Sequence, residues 1–121
     1  MKIVLVVDDE SAVTESLNAL LGDEGYHVLT AHNGHQGMEK LAGLNPDLVM
    51  IDLMMPAMDG PAMLQAIKSD PQYQDLAVVM MSSISEALLR RACSGYTAFL
   101  RKPLQAEQVL STLTHLLPHA S

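Results

Sequence analysis

The sequence predicts an α/β fold, a single-domain doubly wound (βα)5 three-layer sandwich around a five-stranded parallel sheet. Three observations carry that prediction. Five short apolar runs alternate strictly with five stretches of helical periodicity, a pattern that builds a parallel sheet covered on both faces through right-handed crossovers. The run at residues 48–51, Leu-Val-Met-Ile, is continuously apolar, as a strand buried on both faces must be. The runs also end in polar residues that carry chemistry, and ligands of open α/β sheets sit outside the carboxyl ends of the strands. With 121 residues, one such domain buries roughly two thirds of its unfolded surface and needs no staples.

The first strand is residues 2–7, Lys-Ile-Val-Leu-Val-Val, and it ends abruptly in Asp8-Asp9-Glu10. Glu10 or Ser11 starts the first helix, with Val13, Leu17, Leu20 and Leu21 at helical spacing, and Gly22 or Gly25 stops it. Residues 26–31 form a short second strand. Asn33-Gly34 then opens a second helix carrying Met38, Leu41 and Leu44, which Asn45-Pro46 breaks. The third strand, centred on residues 48–51, delivers a single acid, Asp52, as it leaves the sheet. Residues 54–60, Met-Met-Pro-Ala-Met-Asp-Gly, are turn chemistry, with Asp59-Gly60 as part of the turn. Pro61 takes the first position of a third helix that runs to about Asp70 and places Met63, Leu64 and Ile67 on its apolar face. Residues 76–81 make the fourth strand, which finishes in Ser82-Ser83, and residues 86–93 a short helix stopped by Gly95. Residues 97–100 are the fifth strand, ended by Lys102-Pro103. Residues 105–117 are the last helix, apolar at Val109, Leu110, Leu113, Leu116 and Leu117.

Composition narrows the function. Seven basic residues against fourteen acidic give a net charge of -7, which repels a phosphate backbone, so no direct nucleic-acid partner is expected. Four of the seven bases are Arg90, Arg91, Arg101 and Lys102. The aromatics Tyr26, Tyr73, Tyr96 and Phe99 are too few for base stacking, and the nine methionines read as adaptable core filler. The apolar start is broken by Asp8 and Asp9 before it could serve as a signal or membrane segment. The single Cys93 excludes an internal disulfide, and the expected location is cytoplasmic, with no membrane partner. With no base beside it, Cys93 reads as a small apolar residue, not a nucleophile. His27, His32, His35, His115 and His119 lie on polar segments without acidic partners at ligand spacing, and read as surface residues.

In a parallel sheet, the strand ends gather Asp8, Asp9, Asp52, Ser82 and Lys102 at one edge. Each has a plain explanation on its own. Asp8 and Asp9 are acids at a helix start, Ser82 is a cap, and Lys102 is a solvated surface lysine. Together they read differently. Crowded carboxylates repel one another, and a divalent cation relieves the conflict. All-oxygen ligation fits Mg²⁺, with Mn²⁺ as a substitute, and the lack of a His or Cys cluster argues against zinc. Lys102 and Ser82 suit an anion with several oxygens. One carboxylate can then attack phosphorus to form an acyl phosphate. Asp52, alone on its strand, is the expected nucleophile, and the adjacent Asp8 and Asp9 the metal pair. No glycine-rich loop is present to cradle a nucleotide.

Four motifs occur in order. They are Val-Val-Asp-Asp-Glu at 6–10, Asp-Leu-Met-Met-Pro-Ala-Met-Asp-Gly at 52–60, Val-Val-Met-Met-Ser-Ser at 78–83 and Phe-Leu-Arg-Lys-Pro at 99–103. With these the whole chain resembles the receiver domain of bacterial two-component response regulators, of the single-domain kind seen in chemotaxis and phosphorelay proteins. The resemblance implies a sheet of order 2-1-3-4-5 and one receiver domain over residues 1–121 without an output domain. It implies that Asp52 accepts a phosphoryl group from a phosphohistidine on a sensor histidine kinase or phosphotransfer protein. Asp9 would bind Mg²⁺ directly and Asp8 largely through water, with Asp52 and the backbone carbonyl of Met54 completing the metal site. Ser82 and Lys102 would contact the phosphoryl oxygens. Movement of Ser82 and inward rotation of Phe99 would reshape the face of helix 4, strand 5 and helix 5 for a downstream effector protein. The Lys102–Pro103 peptide is implied to be cis, and the protein a monomer or a weak phosphorylation-dependent dimer.

The resemblance describes a signalling module that catalyses only its own phosphorylation and slow dephosphorylation. In the family the positions of Met54 and Ile84 tune that loss, and neither side chain here can orient a water. Two departures from the family pattern stand out. Residues 82–95 are a couple of residues short, which trims helix 4 or the loop before it, and Phe99 stands where Tyr is common, so it lacks a hydroxyl. Two alternatives compete. One is an aspartate-nucleophile small-molecule phosphatase of the haloacid-dehalogenase kind, whose Asp-x-Asp signature after the first strand is missing. The other is a metal-insensitive pseudo-receiver scaffold that is not phosphorylated.

Overall fold

The computed structural model describes residues 1–117; His119, read as a surface residue, lies outside the described residues. Strands β1 (Ile3–Val7), β2 (His27–Ala31), β3 (Leu48–Asp52), β4 (Ala77–Ser82) and β5 (Ala98–Arg101) alternate with helices α1 (Ser11–Asp23), α2 (Gly34–Leu44), α3 (Gly60–Ser69), α4 (Glu86–Ala92) and α5 (Ala106–Leu116). The strands form one parallel sheet in the order β2-β1-β3-β4-β5. This is the predicted topology.

Both residue parities of the inner strands are buried, which is why those strands read as unbroken apolar runs. Leu5, Val7, Val49, Ile51, Val78 and Met80 pack with Leu41, Met63, Leu64, Ile67 and Leu89 from α2, α3 and α4. Val4, Val6, Leu48, Met50, Val79 and Met81 face the other way, onto Leu17, Leu21, Val109 and Leu113 of α1 and α5. β3 runs through the middle of the sheet and is buried at all five positions, Asp52 included.

Element starts follow local hydrogen bonding. Asn33 caps α2 by accepting from the Gln36 N–H at 2.9 Å, and Ser85 caps α4 through the Leu88 N–H. Asp59, a turn residue by sequence, caps α3 instead. Its Oδ1 accepts from the Ala62 N–H at 2.9 Å, Pro61 sits in the first turn, and the helix opens at Gly60. Asp70 makes a further cap that periodicity does not reveal, over a 3-10 turn at Pro71–Tyr73 that buries Tyr73. β4 and β5 each lie one residue later than expected, because the pairing of Ser82 with Arg101 extends the ladder. α4 has seven residues, in line with the shortened segment before Gly95.

Ala57, in the loop after β3, adopts φ +63°. A Cβ in the left-handed region costs about 1–2 kcal/mol, part of which glycine returns as chain entropy on unfolding. Ala57→Gly is therefore expected to stabilise the protein by about 1 kcal/mol, read as a higher urea midpoint. A midpoint that stays put would show that the loop carries no strain.

Candidate functional site

The carboxyl end of β1 delivers Asp8, which is fully buried. Burying a charge is tolerable only when it is paired and hydrogen-bonded, and each Asp8 carboxylate oxygen has a partner. Its N–H donates to the Ala31 carbonyl of β2 at 3.0 Å. Its Oδ1 accepts from the Glu10 N–H at 2.9 Å, and its Oδ2 accepts from the Lys102 ammonium at 2.8 Å. Asp8, an acid at a helix start by sequence, does not cap α1: it turns the chain ahead of the helix, whose N-cap position is Glu10 with no side-chain capping bond.

Asp52 leaves the sheet between β1 and β4 and is 6% exposed. Its Oδ1 lies 3.1 Å from Lys102 Nζ. Lys102 reaches this point from the end of β5, where its N–H donates to the Ser82 carbonyl at 2.8 Å and the Lys102–Pro103 peptide is cis. A third carboxylate, Glu10, stands 3.1 Å from the same ammonium. The three N–H donors of Lys102 thus face three acids.

Burial drives the electrostatics. Loss of solvent pushes the Asp52 carboxyl up, the Lys102 hydrogen bond pulls it back and the neighbouring Asp8 and Asp9 push it up again, leaving it at about 6 against an ordinary 3.8. For Lys102, burial alone would favour the neutral amine. Hydrogen bonds to Asp8, Asp52 and Glu10 outweigh that and hold the ammonium above its usual range.

Asp8, Asp9 and Asp52 each offer a carboxylate oxygen, and these oxygens lie within 4.8 Å of one another. Asp9 is exposed, so the cluster opens to solvent on that side. An all-oxygen donor set with an open side fits a hard divalent cation that keeps waters. The exposed His32 and His35 do not join the cluster.

Other residues named from sequence sit around this centre. Ser82 is buried, and its Oγ accepts from the Ile84 N–H at 3.1 Å without a bond to Lys102 or Asp52. Met54, two residues past Asp52, is 73% exposed. Ile84 and Phe99 are half-buried against the α2–α4 side of the sheet, with Phe99 paired in register with Met80. Cys93 is half-buried in the same layer.

Two contributors are not apparent from the sequence alone. Glu10 reads there only as a helix start; its signal is that it is the third acid in a run leaving a buried strand. Gly60 reads only as part of a turn. A Cβ there would stand 2.4 Å from the Asp52 carbonyl oxygen and 2.8 Å from Leu53 Cα. The Gly60 N–H donates to the Leu53 carbonyl at 3.0 Å, so the bare glycine lets α3 start directly against the strand end that carries Asp52.

No helix among the described residues is long and apolar enough to cross a membrane. The sequence profile of the response regulator receiver domain matches residues 4–114. The chain is 35% identical over 117 residues to the response regulator MprA of Mycobacterium ulcerans, covering 94% of this chain and 49% of that protein. It is 30% identical over 118 residues to protein PilG of Pseudomonas aeruginosa, covering 95% of this chain and 87% of that protein. It is also 31% identical to hybrid signal transduction histidine kinase D of Dictyostelium discoideum, over 95% of this chain but 8% of that protein. The chain therefore spans half or less of several curated relatives that it matches. Among solved structures, chemotaxis protein CheY4 of Vibrio cholerae superposes with a TM-score of 0.91 at 29% identity, over 97% of this chain and 99% of that one. Sheet order, an acidic strand-end cluster and a profile match over nearly the whole chain agree, and the chain belongs to the response regulator receiver domain family, the receiving module of phosphorylation-activated two-component signalling.

Proposed function

We propose that Asp52 is the phosphoryl acceptor of this receiver and that the donor is a phosphohistidine on a sensor histidine kinase or phosphotransfer protein. The observation that carries this reading is the Lys102 ammonium held 3.1 Å from the Asp52 carboxylate in a pocket shared with buried Asp8. A site built only to hold a cation has no use for a lysine at its centre. With its carboxyl at about 6, Asp52 is ionised at neutral pH yet more basic than an ordinary aspartate, which suits a nucleophile. A carboxylate oxygen of Asp52 attacks phosphorus, the P–N bond to the imidazole breaks, and the leaving nitrogen keeps the electron pair and takes up a proton.

The remaining residues divide the work. Asp8, Asp9, Asp52 and the Met54 carbonyl would hold Mg²⁺, or Mn²⁺ in its place, which when bound supplies charge neutralisation at the phosphoryl oxygens. Lys102 turns a donor toward those oxygens. Ser82 accepts a hydrogen bond from Ile84 but keeps its own O–H to donate, so a shift of Ser82 toward the phosphoryl group draws on the loop that leads into α4. That movement, with Phe99 turning inward, alters the face of α4, β5 and α5 for a downstream effector protein.

The test is exposure to acetyl phosphate with Mg²⁺, followed by borohydride reduction and mass mapping. A reduced acyl phosphate at Asp52, formed only with Mg²⁺, supports the reading. Labelling at another residue sinks it, and steady phosphate release from a generic phosphoester points to the phosphatase alternative. The phospho-form is expected to persist, because Met54 and Ile84 cannot position water for attack on the acyl phosphate. Met54→Asn combined with Ile84→Glu should shorten its lifetime on the order of tenfold or more, followed as release of labelled phosphate; an equal or longer lifetime refutes the idea.

A further inference from the structure

We propose that Glu10 is a positioning residue for Lys102: its carboxylate holds one donor of the ammonium that an incoming phosphoryl group must take over, and so moderates how tightly the site holds that group. The inference rests on Asp52 being the phosphoryl acceptor. An ammonium has three N–H donors and no more, and here they face Asp8 at 2.8 Å, Asp52 at 3.1 Å and Glu10 at 3.1 Å. An anion arriving at Asp52 has to displace at least one acceptor.

The three acids differ in what their release costs. The Asp8 side chain is 0% exposed, and leaving a buried carboxylate without its cation is strongly unfavourable. Asp52 carries the arriving group itself. The Glu10 side chain is 62% exposed, so water replaces Lys102 at little cost. Glu10 occupies the N-cap position of α1 without a side-chain capping bond, so its carboxylate is not held there as a cap. Glu10 is therefore the acceptor that gives way. It then stands as a free anion beside a group that carries close to two negative charges, and both the lost contact and the repulsion oppose phosphoryl binding.

The experiment compares beryllofluoride affinity at saturating Mg²⁺ for the wild type, Glu10→Gln and Glu10→Asp, with thermal midpoints checking that each variant is folded. Glu10→Gln is expected to bind beryllofluoride about two- to fivefold more tightly, the range of an exposed ion pair. Glu10→Asp keeps the charge but is one methylene too short to hold Lys102 in place, and it should also bind more tightly than the wild type. Unchanged or weaker binding by Glu10→Gln overturns the proposal. Wild-type affinity in Glu10→Asp overturns it too, since charge near the site would then matter and the contact with Lys102 would not. A wild-type protein that takes up no beryllofluoride brings down this inference together with Asp52 as acceptor. Normal wild-type uptake with an inert Glu10→Gln removes the Glu10 role alone.

Discussion

Asp52→Asn is expected to lose Mg²⁺-dependent phosphorylation by acetyl phosphate and, in the absence of divalent cations, to be more stable than the wild type near neutral pH. The first effect is chemical. An amide offers no anionic oxygen to phosphorus, and removing a nucleophile costs on the order of a thousandfold or more in rate. Residual labelling at wild-type rate would move the acceptor elsewhere. The second effect follows from linkage. The folded-state carboxyl lies at about 6, raised from 3.8 mainly by burial, so the folded protein binds this proton more tightly than the unfolded chain does. Stability from the protonated form is fully present below pH 3.8 and is lost as pH rises through 6. Above that range the ionised side chain costs the fold about 1–3 kcal/mol, a cost that asparagine never incurs. Urea denaturation of both proteins in a chelator should show Asp52→Asn ahead by that amount at neutral pH and the gap closing below pH 4. A gap independent of pH would show that loss of the Lys102 contact governs the difference. Added Mg²⁺ should narrow the gap at neutral pH, because a cation that binds the folded wild type stabilises it by mass action.

The second large effect is expected at Gly60. Its φ is ordinary, and the constraint is contact. A methyl group would lie 2.4 Å from the Asp52 carbonyl oxygen, 2.8 Å from Leu53 Cα and 3.0 Å from the Leu53 carbonyl oxygen. All three atoms belong to the backbone leaving the central strand, and none can rotate aside as a side-chain tip could. Gly60→Ala must therefore push α3 off the sheet or drag Asp52 from its place beside Lys102. We expect a loss of about 3 kcal/mol, the upper end of the usual range for overpacking because the contacts are backbone, and slower phosphorylation in whatever fraction stays folded. Gly43 supplies the control. It sits in α2, where a methyl group would meet nothing within 4 Å, and Gly43→Ala should gain up to about 1 kcal/mol from helix propensity. Equal stability of the two alanine variants would mean that α3 yields freely.

Both predictions concern the strand end that the sequence already singles out, yet they rest on different kinds of information. Asp52 is legible because one acid at the end of an apolar run breaks a pattern that burial imposes. Gly60 is not, since a glycine after an aspartate is common in turns and its sequence neighbours do not reveal that a strand passes within contact distance. Asp59 follows suit: turn and cap use the same residue types, and only the Ala62 N–H distinguishes them. Ser82 is found by its place at a strand end, although its present partner, the Ile84 N–H, is a local loop bond outside any periodic signal.

By itself the sequence determined the alternation of strands and helices, the burial of both sheet faces and the identity of the acids, hydroxyl and lysine at the strand ends. Periodicity encodes these directly, because each residue's burial depends on the repeat of its own element. Which groups touch was decided by the tertiary structure. Lys102 and Asp8 are 94 positions apart, and no local pattern records that β5 follows β4 at the sheet edge so that the ammonium reaches across to the end of β1. The same folding step draws in Glu10, which as a sequence is one more acid before a helix and in space is the third partner of the lysine. Asp52 reaches about 6 for the same reason: the packed strands exclude solvent and push its carboxyl up, against the pull of a cation brought from the far end of the chain.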